Sequence, residues 1–221
     1  MFCMYLKKLD INIGNIEWLE TKNLANYEDC VKFMEKRAIG IRQNNEQECI
    51  WLVQHTPLYT GGTSALQQDL LSNELPVYKA GRGGQYTYHG PGQRTVYVIL
   101  DLEKRGLGIK KFICNLEQWI INTLADFDVI GERRDGRVGI WVVNKDGSED
   151  KICAIGVRIK KWVSYHGIAF NINPDLSHYK GIVPCGINDN NLSVTSLEKL
   201  GINATMQDFD DALIRNFTKI F

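Results

Sequence analysis

Residues 81–93 read GRGGQYTYHGPGQ, placing five glycines, one proline, one arginine, one histidine and two tyrosines in thirteen positions. Glycine loses more freedom on ordering than any other residue, so it is kept where the backbone needs positive φ or a close approach. A run this dense, with Arg82 and His89 inside it, predicts backbone wrapped around a ligand. Apolar runs at 75–78 and 95–100 flank it, predicting a loop held between two strands, the rigid setting on which loops carry binding groups. Read alone, the run also fits an elaborate turn. Tyr86 stands where a dinucleotide fingerprint would have its third glycine, and no G-x-x-x-x-G-K-[ST] occurs.

The rest of the chain reads as a soluble α+β protein. Its 221 residues are 44% hydrophobic and 24% charged, values ordinary for a globular chain, and they are read as one domain over 1–221. Lys plus Arg equals Asp plus Glu at 26 each, which gives no bulk electrostatic case for nucleic acid. The N-terminal residues lack the basic-then-apolar order of a secretory signal. No apolar run approaches the roughly 20 residues a membrane helix needs, so a cytoplasmic protein with no membrane partner is expected. Six cysteines at 3, 30, 49, 114, 153 and 185 form no C-x-x-C pair, and most are expected to be small buried hydrophobes in a reducing compartment.

Periodicity predicts a helix over 26–43, with Tyr27, Val31, Met34 and Ala38 on one face, then a buried strand at 49–53. Residues 55–62 have loop composition. Ile109, Phe112, Ile113, Leu116, Ile120, Leu124 and Phe127 recur at helical spacing and predict a core-packed helix over 109–127. Runs at 138–143, 151–159 and 166–172, the first pair joined by hairpin chemistry at 144–147, predict an antiparallel meander. Thr205 with Asp208 predicts a capping box opening a last helix over 206–221.

Chemistry-bearing candidates are few. Cys185 lies between Pro184 and Gly186, in a bend that exposes a sulfur and leaves backbone N–H groups free; an ordinary turn cysteine fits as well. A thiol with an unperturbed pKa of ~8.5 is only a few per cent thiolate at neutral pH, so a nucleophile needs a nearby cation. Lys151 is the candidate cation, against the alternative of a solvated lysine ending a hairpin. Cys153, two residues on, is expected on the same strand face and reads as a packed cysteine. Ala154, Gly156, Gly167 and Ala169 recur on two adjacent predicted strands, where missing side chains would leave a groove or permit close helix packing. His89 is the best placed of four histidines. His55 reads as a hydrogen-bonded loop residue, and His166, at a predicted strand start, and His178 read as structural or surface groups. No zinc spacing occurs, so neither a metal nor another cofactor is implied.

Together these segments resemble the lipoyl(octanoyl) transferases of lipoate biosynthesis. Residues 82–93 look like that family's long signature, 151–156 its lysine-bearing strand, 166–173 its next strand, 184–187 its nucleophile turn and 194–197 the segment that follows. The resemblance implies an α+β fold, a mixed sheet flanked by helices, similar to the catalytic domains of biotin and lipoate protein ligases. It implies transfer of an octanoyl group from acyl carrier protein to a lysine of lipoyl domains, in 2-oxoacid dehydrogenases and the glycine cleavage H protein. By position, Cys185 would be the acyl-thioester nucleophile and Lys151 the residue lowering its pKa. Arg82, Gly83, Gly84, Gln85, Tyr86, Thr87, Tyr88 and His89 would line the acyl site with Ala154, Ile155, Gly156, Gly167, Ile168 and Ala169. One departure is visible: Gly61-Gly62 stands where the family usually has a single glycine followed by a basic residue.

The implied route is acyl transfer through Cys185, with backbone N–H groups holding the oxyanion and Lys151 or His89 accepting the incoming lysine's proton. At ~0.8 kcal/mol per buried CH₂ a groove distinguishes chain lengths only weakly, so rejection of longer chains requires a closed end. An ATP-dependent lipoate or biotin ligase on the same fold, a non-catalytic acyl-carrier-binding module and a cysteine hydrolase are the competing readings.

Overall fold

The computed structural model describes residues 6–183 and 192–221. Among these, nine strands form one mixed sheet. In chain order the elements are β1 (Leu6–Lys8), β2 (Ile16–Thr21), α1 (Tyr27–Arg42), β3 (Glu48–Val53), β4 (Leu58–Gly61), β5 (Val77–Lys79), β6 (Tyr86–His89) and β7 (Gln93–Ile99). They continue with α2 (Ile109–Ala125), β8 (Glu132–Arg134), β9 (Arg137–Val143), β10 (Glu149–Lys160), β11 (Val163–Asn171), β12 (Leu192–Val194) and α3 (Met206–Phe217). The large sheet runs β1-β2-β3-β7-β11-β10-β9-β8, with β12 added to β10. β2–β3 and β10–β12 are parallel and the other pairs antiparallel, so the sheet is mixed. A small sheet, β5-β4-β6, stands apart from it.

Local chemistry explains the helices. Asn26 caps α1 by accepting from the Asp29 N–H, and Tyr27, Cys30, Met34, Ala38 and Ile41 are buried at helical spacing. In α2 the buried stripe is Phe112, Leu116, Trp119, Ile120 and Leu124. The predicted Thr205–Asp208 capping box is present at the start of α3. α2 and α3 cover one face of the large sheet, over a core containing Val96, Val98, Ile140, Ile152, Ile168 and Phe170. Trp119 Nε1 donates to the Leu213 carbonyl at 2.7 Å and ties the two helices together. Arg94 of β7 clasps Asp210 of α3 through two hydrogen bonds of 2.9 and 2.6 Å. The opposite face packs Trp51, Tyr97, Val163 and Tyr165 against Cys30, Met34 and Ala38 of α1.

Several sequence expectations change. Residues 58–61 form β4 rather than a loop, and the glycine run contains β6, which pairs antiparallel with β4. Tyr86-Thr87-Tyr88 is β-prone sequence set between glycines, which hide the strand signal. β11 starts at Val163, three residues before the expected start, because Lys161 and Trp162 turn the chain with φ of 50° and 66°. That places His166 inside a strand. β2 was not anticipated, and α3 stops at Phe217. The meander is borne out by antiparallel β9–β10 and β10–β11 pairing. Among the described residues no helix is long and apolar enough to cross a membrane.

Candidate functional site

Between the small sheet and the α1-facing side of the large sheet lies a cavity of about 350 Å³. Of the fourteen residues expected at the acyl site, thirteen border it, Tyr88 being the exception, and Lys151 borders it as well. The roof is the loop from Arg82 to Gln85 and the start of β6; the floor is β10 and β11. Cys185 lies outside the described residues.

The floor is built from small residues in register. Ala154 faces Ala169 and Gly156 faces Gly167 across the β10–β11 ladder. The glycines serve close packing as much as open space. A Cβ on Gly156 would sit 2.8 Å from Arg82 Cδ, and one on Gly167 would run into the Val96 carbonyl oxygen.

Arg82 holds the roof down. Its Nη1 donates to the carbonyls of Gly83 (2.9 Å) and Gln85 (3.1 Å), and Nη2 donates to the Thr60 carbonyl and hydroxyl. His89 extends this network. Gln93 Nε2 donates to the Tyr88 carbonyl, which turns Gln93 Oε1 toward His89 Nδ1 at 2.8 Å. His89 Nδ1 therefore carries the hydrogen, and Nε2 accepts from Thr60 Oγ1 at 3.2 Å. Burial, with His55 and Arg82 nearby, pushes the His89 pKa well below its ordinary value. His89 is a neutral latch with both ring nitrogens engaged. The Gly61-Gly62 stretch carries part of this latch, since the Gly62 N–H donates to the Gln85 carbonyl.

Lys151 is only 4% exposed. A register shift between Lys151 and Cys153 changes which face each presents. Lys151 pairs with Trp141 and lies with Nζ 5.1 Å from that ring, whereas Cys153 pairs with Ile140 and enters the α2/α3 core. The expected shared face is therefore corrected: the two lie on opposite faces. Gly139, at φ 121°, makes room, because a Cβ there would lie 2.5 Å from Lys151 Cε. Burial pushes the Cys153 thiol up, as it does Cys30 and Cys49, so these three are inert packing groups. Beyond residues 184–191 the chain resumes at β12, whose Val194 pairs with Lys151.

The far wall contains residues that sequence reasoning did not select. Tyr27, Thr95, Tyr97 and His166 border the cavity beside His89. His55 is buried behind them, where Nδ1 meets the Ala25 carbonyl at 3.0 Å and Nε2 meets the Tyr97 hydroxyl at 2.7 Å. Burial lowers its pKa to about 4. The Tyr27 hydroxyl is buried with no hydrogen-bond partner among the described residues, and burial raises its pKa to about 12. Tyr88 points the other way: its ring stacks on His178 at 4.9 Å and packs against Tyr59 and Tyr179. Among the described residues no three His, Cys, Asp or Glu side chains are grouped to hold a metal ion.

Arg133, Arg134 and Arg137, close together in sequence, are each paired with carboxylates of this chain. Arg133 meets Glu117, Arg134 meets Glu132 and Glu149, and Arg137 meets Glu149.

The lipoyl protein ligase A/B catalytic domain matches residues 26–218. The chain belongs to that family. An octanoyltransferase of Cereibacter sphaeroides is 51% identical over 218 residues, covering 95% of this chain and 99% of its own. An octanoyltransferase of Brucella suis is 54% identical over 215 residues, covering 93% and 80%. The fold is shared with more distant solved proteins. The bipartite lipoate protein ligase of Thermoplasma acidophilum superposes with a TM-score of 0.68 at 15% identity, over 94% of this chain and 83% of that one. Lipoate-protein ligase A bound with ATP gives 0.67 at 17%, over 94% and 85%. The α+β, helix-flanked mixed sheet expected from the sequence is thus borne out.

Proposed function

We propose that this protein is an acyltransferase that moves an octanoyl group, as the octanoyltransferases it resembles are named for doing, and that the acceptor is a lysine of lipoyl domains. Octanoyl acyl carrier protein is the donor, and the acceptors include the lipoyl domains of 2-oxoacid dehydrogenases and the glycine cleavage H protein. The observation that carries this reading is that buried Lys151 borders a cavity floored by small residues. β12, whose Val194 pairs with Lys151, is the next described element in the sequence after the Pro184-Cys185-Gly186 segment.

Cys185 is the nucleophile and Lys151, as an ammonium, stabilises its thiolate. The sulfur attacks the donor's thioester carbonyl and forms a new thioester. The carrier thiolate leaves and takes a proton from Lys151. The acceptor lysine, arriving neutral, attacks the acyl-enzyme, and its proton passes to the now neutral Lys151. The amide departs and the thiolate–ammonium pair is restored, so no ATP is consumed. His89 is set aside as the base, because both its ring nitrogens are engaged and burial weakens its hold on a proton.

The roof residues Arg82, Gly83, Gly84, Gln85, Tyr86 and Thr87 and the floor residues Ala154, Ile155, Gly156, Gly167, Ile168 and Ala169 enclose the acyl chain. The test is transfer to an apo-lipoyl domain from octanoyl carrier protein without nucleotide, followed by the mass of the acceptor. Octanoylation with wild type and none with Cys185→Ala supports the reading. Octanoylation that requires ATP and free acid contradicts it and favours a ligase.

A further inference from the structure

His166 occupies a backbone conformation that its side chain does not favour, and the consequence is where the ring goes. Side chains alternate along a strand, and in β11 Ile168 and Phe170 point into the α2/α3 core while Val163 and Tyr165 point toward α1. By that parity His166 belongs with Ile168 and Phe170. Its φ of 60° breaks the parity. The ring instead stacks on Tyr165 at 5.2 Å and meets Tyr97 edge-on at 6.2 Å, both residues of the α1-facing side. Its N–H is turned to Met34 Sδ, at 3.4 Å. The side chain is thereby delivered into the cavity, where it is 3% exposed, and among the described residues its ring nitrogens make no hydrogen bond. Left-handed backbone at a non-glycine residue persists only where its surroundings enforce it, and it concentrates at ligand sites.

The position along the floor suggests the purpose. Lys151 stands at one end of the cavity, and His166 is paired with Val157, six residues further along β10. That separation is roughly 20 Å of extended strand. It matches what the four-carbon stem of Lys151, a thioester and an eight-carbon chain together span. Between the two ends lie the facing pairs Ala154–Ala169 and Gly156–Gly167.

We propose that His166, braced by Tyr97 and Tyr165, closes the far end of the acyl cavity and sets the length of chain it accepts. This rests on the acyltransferase reading for which end holds the carbonyl. The ring stays neutral there, since burial and the nearby Arg82 and Arg158 lower its pKa to about 3, so it ends the cavity without placing a charge against the chain terminus.

The test is binding of octanoate, decanoate and dodecanoate to wild type, His166→Gly and His166→Asn by calorimetry. Glycine and asparagine both accept the left-handed backbone, so the fold is kept while the ring is removed. The decanoate-to-octanoate affinity ratio is expected to rise by about fifteenfold in His166→Gly, the worth of two newly buried methylenes, and by less in His166→Asn. An unchanged ratio in both variants overturns the proposal, whether or not affinity falls for all three acids. Wild-type transfer from octanoyl carrier protein, measured on the same preparation, reports separately on the acyltransferase reading. Loss of that transfer with a raised ratio in the variants would leave the length stop standing and remove the transferase.

Discussion

Arg82 and Thr60 are joined by two hydrogen bonds from one nitrogen, Nη2 donating to the Thr60 carbonyl at 2.9 Å and to its hydroxyl at 2.6 Å. The same hydroxyl lies 3.2 Å from His89 Nε2, so the glycine loop, β4 and β6 share one polar network. Thr60→Val removes the hydroxyl and leaves two buried partners short of a bond. It should cost ~1–3 kcal/mol, read from the urea midpoint. Arg82→Lys keeps the charge but cannot fork between carbonyls. It should raise KM for the octanoyl donor about tenfold or more with the circular dichroism spectrum unchanged, on the order of the ~1.4 kcal/mol that one charged hydrogen bond supplies. An unchanged KM would show that the loop is held by other means.

The two facing glycines should behave differently. Gly167→Ala drives a methyl into the Val96 carbonyl, which belongs to a central strand and has nowhere to go. It should destabilise by ~1–3 kcal/mol. Gly156→Ala meets Arg82 Cδ at 2.8 Å and displaces a side chain that roofs the cavity. Its effect should fall on donor KM rather than on the unfolding midpoint. Equal effects of the two on stability would contradict the packing described.

Asp210→Asn weakens the buried clasp on Arg94 and leaves its guanidinium with only the Glu20 carboxylate, 3.9 Å from Nη2, at the α3–sheet seam. The loss should be ~3–5 kcal/mol, measured by urea unfolding. The companion Arg94→Met, Asp210→Leu double variant should recover most of it. Failure to recover would mean that the pair does more than satisfy itself.

Stability should fall toward acid. His55, His89 and His166 are held neutral by burial, with pKa values of about 4, well below normal and about 3. Their contribution is full above ~6.5, the unfolded value, and is lost as pH falls toward those folded values, at up to ~1.4 kcal/mol per pH unit per ring. Asp210 opposes them: burial raises its carboxyl to about 6, so its contribution is present below the ordinary carboxylate range and lost as pH rises through 6. Three rings outweigh one carboxylate between pH 6.5 and 5. Urea midpoints at pH 7.5, 6.5 and 5.5 should therefore decline, and a flat or rising series would contradict the neutral histidine cluster.

Much of this was legible because the informative residues are local. The glycine run, the small-residue pairs on β10 and β11 and the capping box at Thr205 each declare themselves within a few positions. What was hidden depends on backbone states that residue type does not report. Tyr88 is expected in the site because the resemblance carries over the whole run from Arg82 to His89; in β6, strand alternation turns it toward His178 instead. Lys151 and Cys153 were expected on one face until the register shift separated them. His166 was passed over because nothing in its neighbourhood of sequence announces a positive φ. Tyr27 and Tyr97 come from α1 and β7 and meet the site only through the tertiary fold.

The central claim is a covalent octanoyl intermediate on Cys185 supported by Lys151. Intact mass of the protein mixed with octanoyl carrier protein alone, for wild type, Cys185→Ala and Lys151→Met, tests it most directly. One octanoyl adduct on wild type is expected, discharged on adding an apo-lipoyl domain, absent in Cys185→Ala and formed at least a hundredfold more slowly in Lys151→Met, about the ~10²-fold scale of a lost acid–base group. An adduct that survives in Cys185→Ala, or acceptor octanoylation by that variant at the wild-type rate, would contradict it.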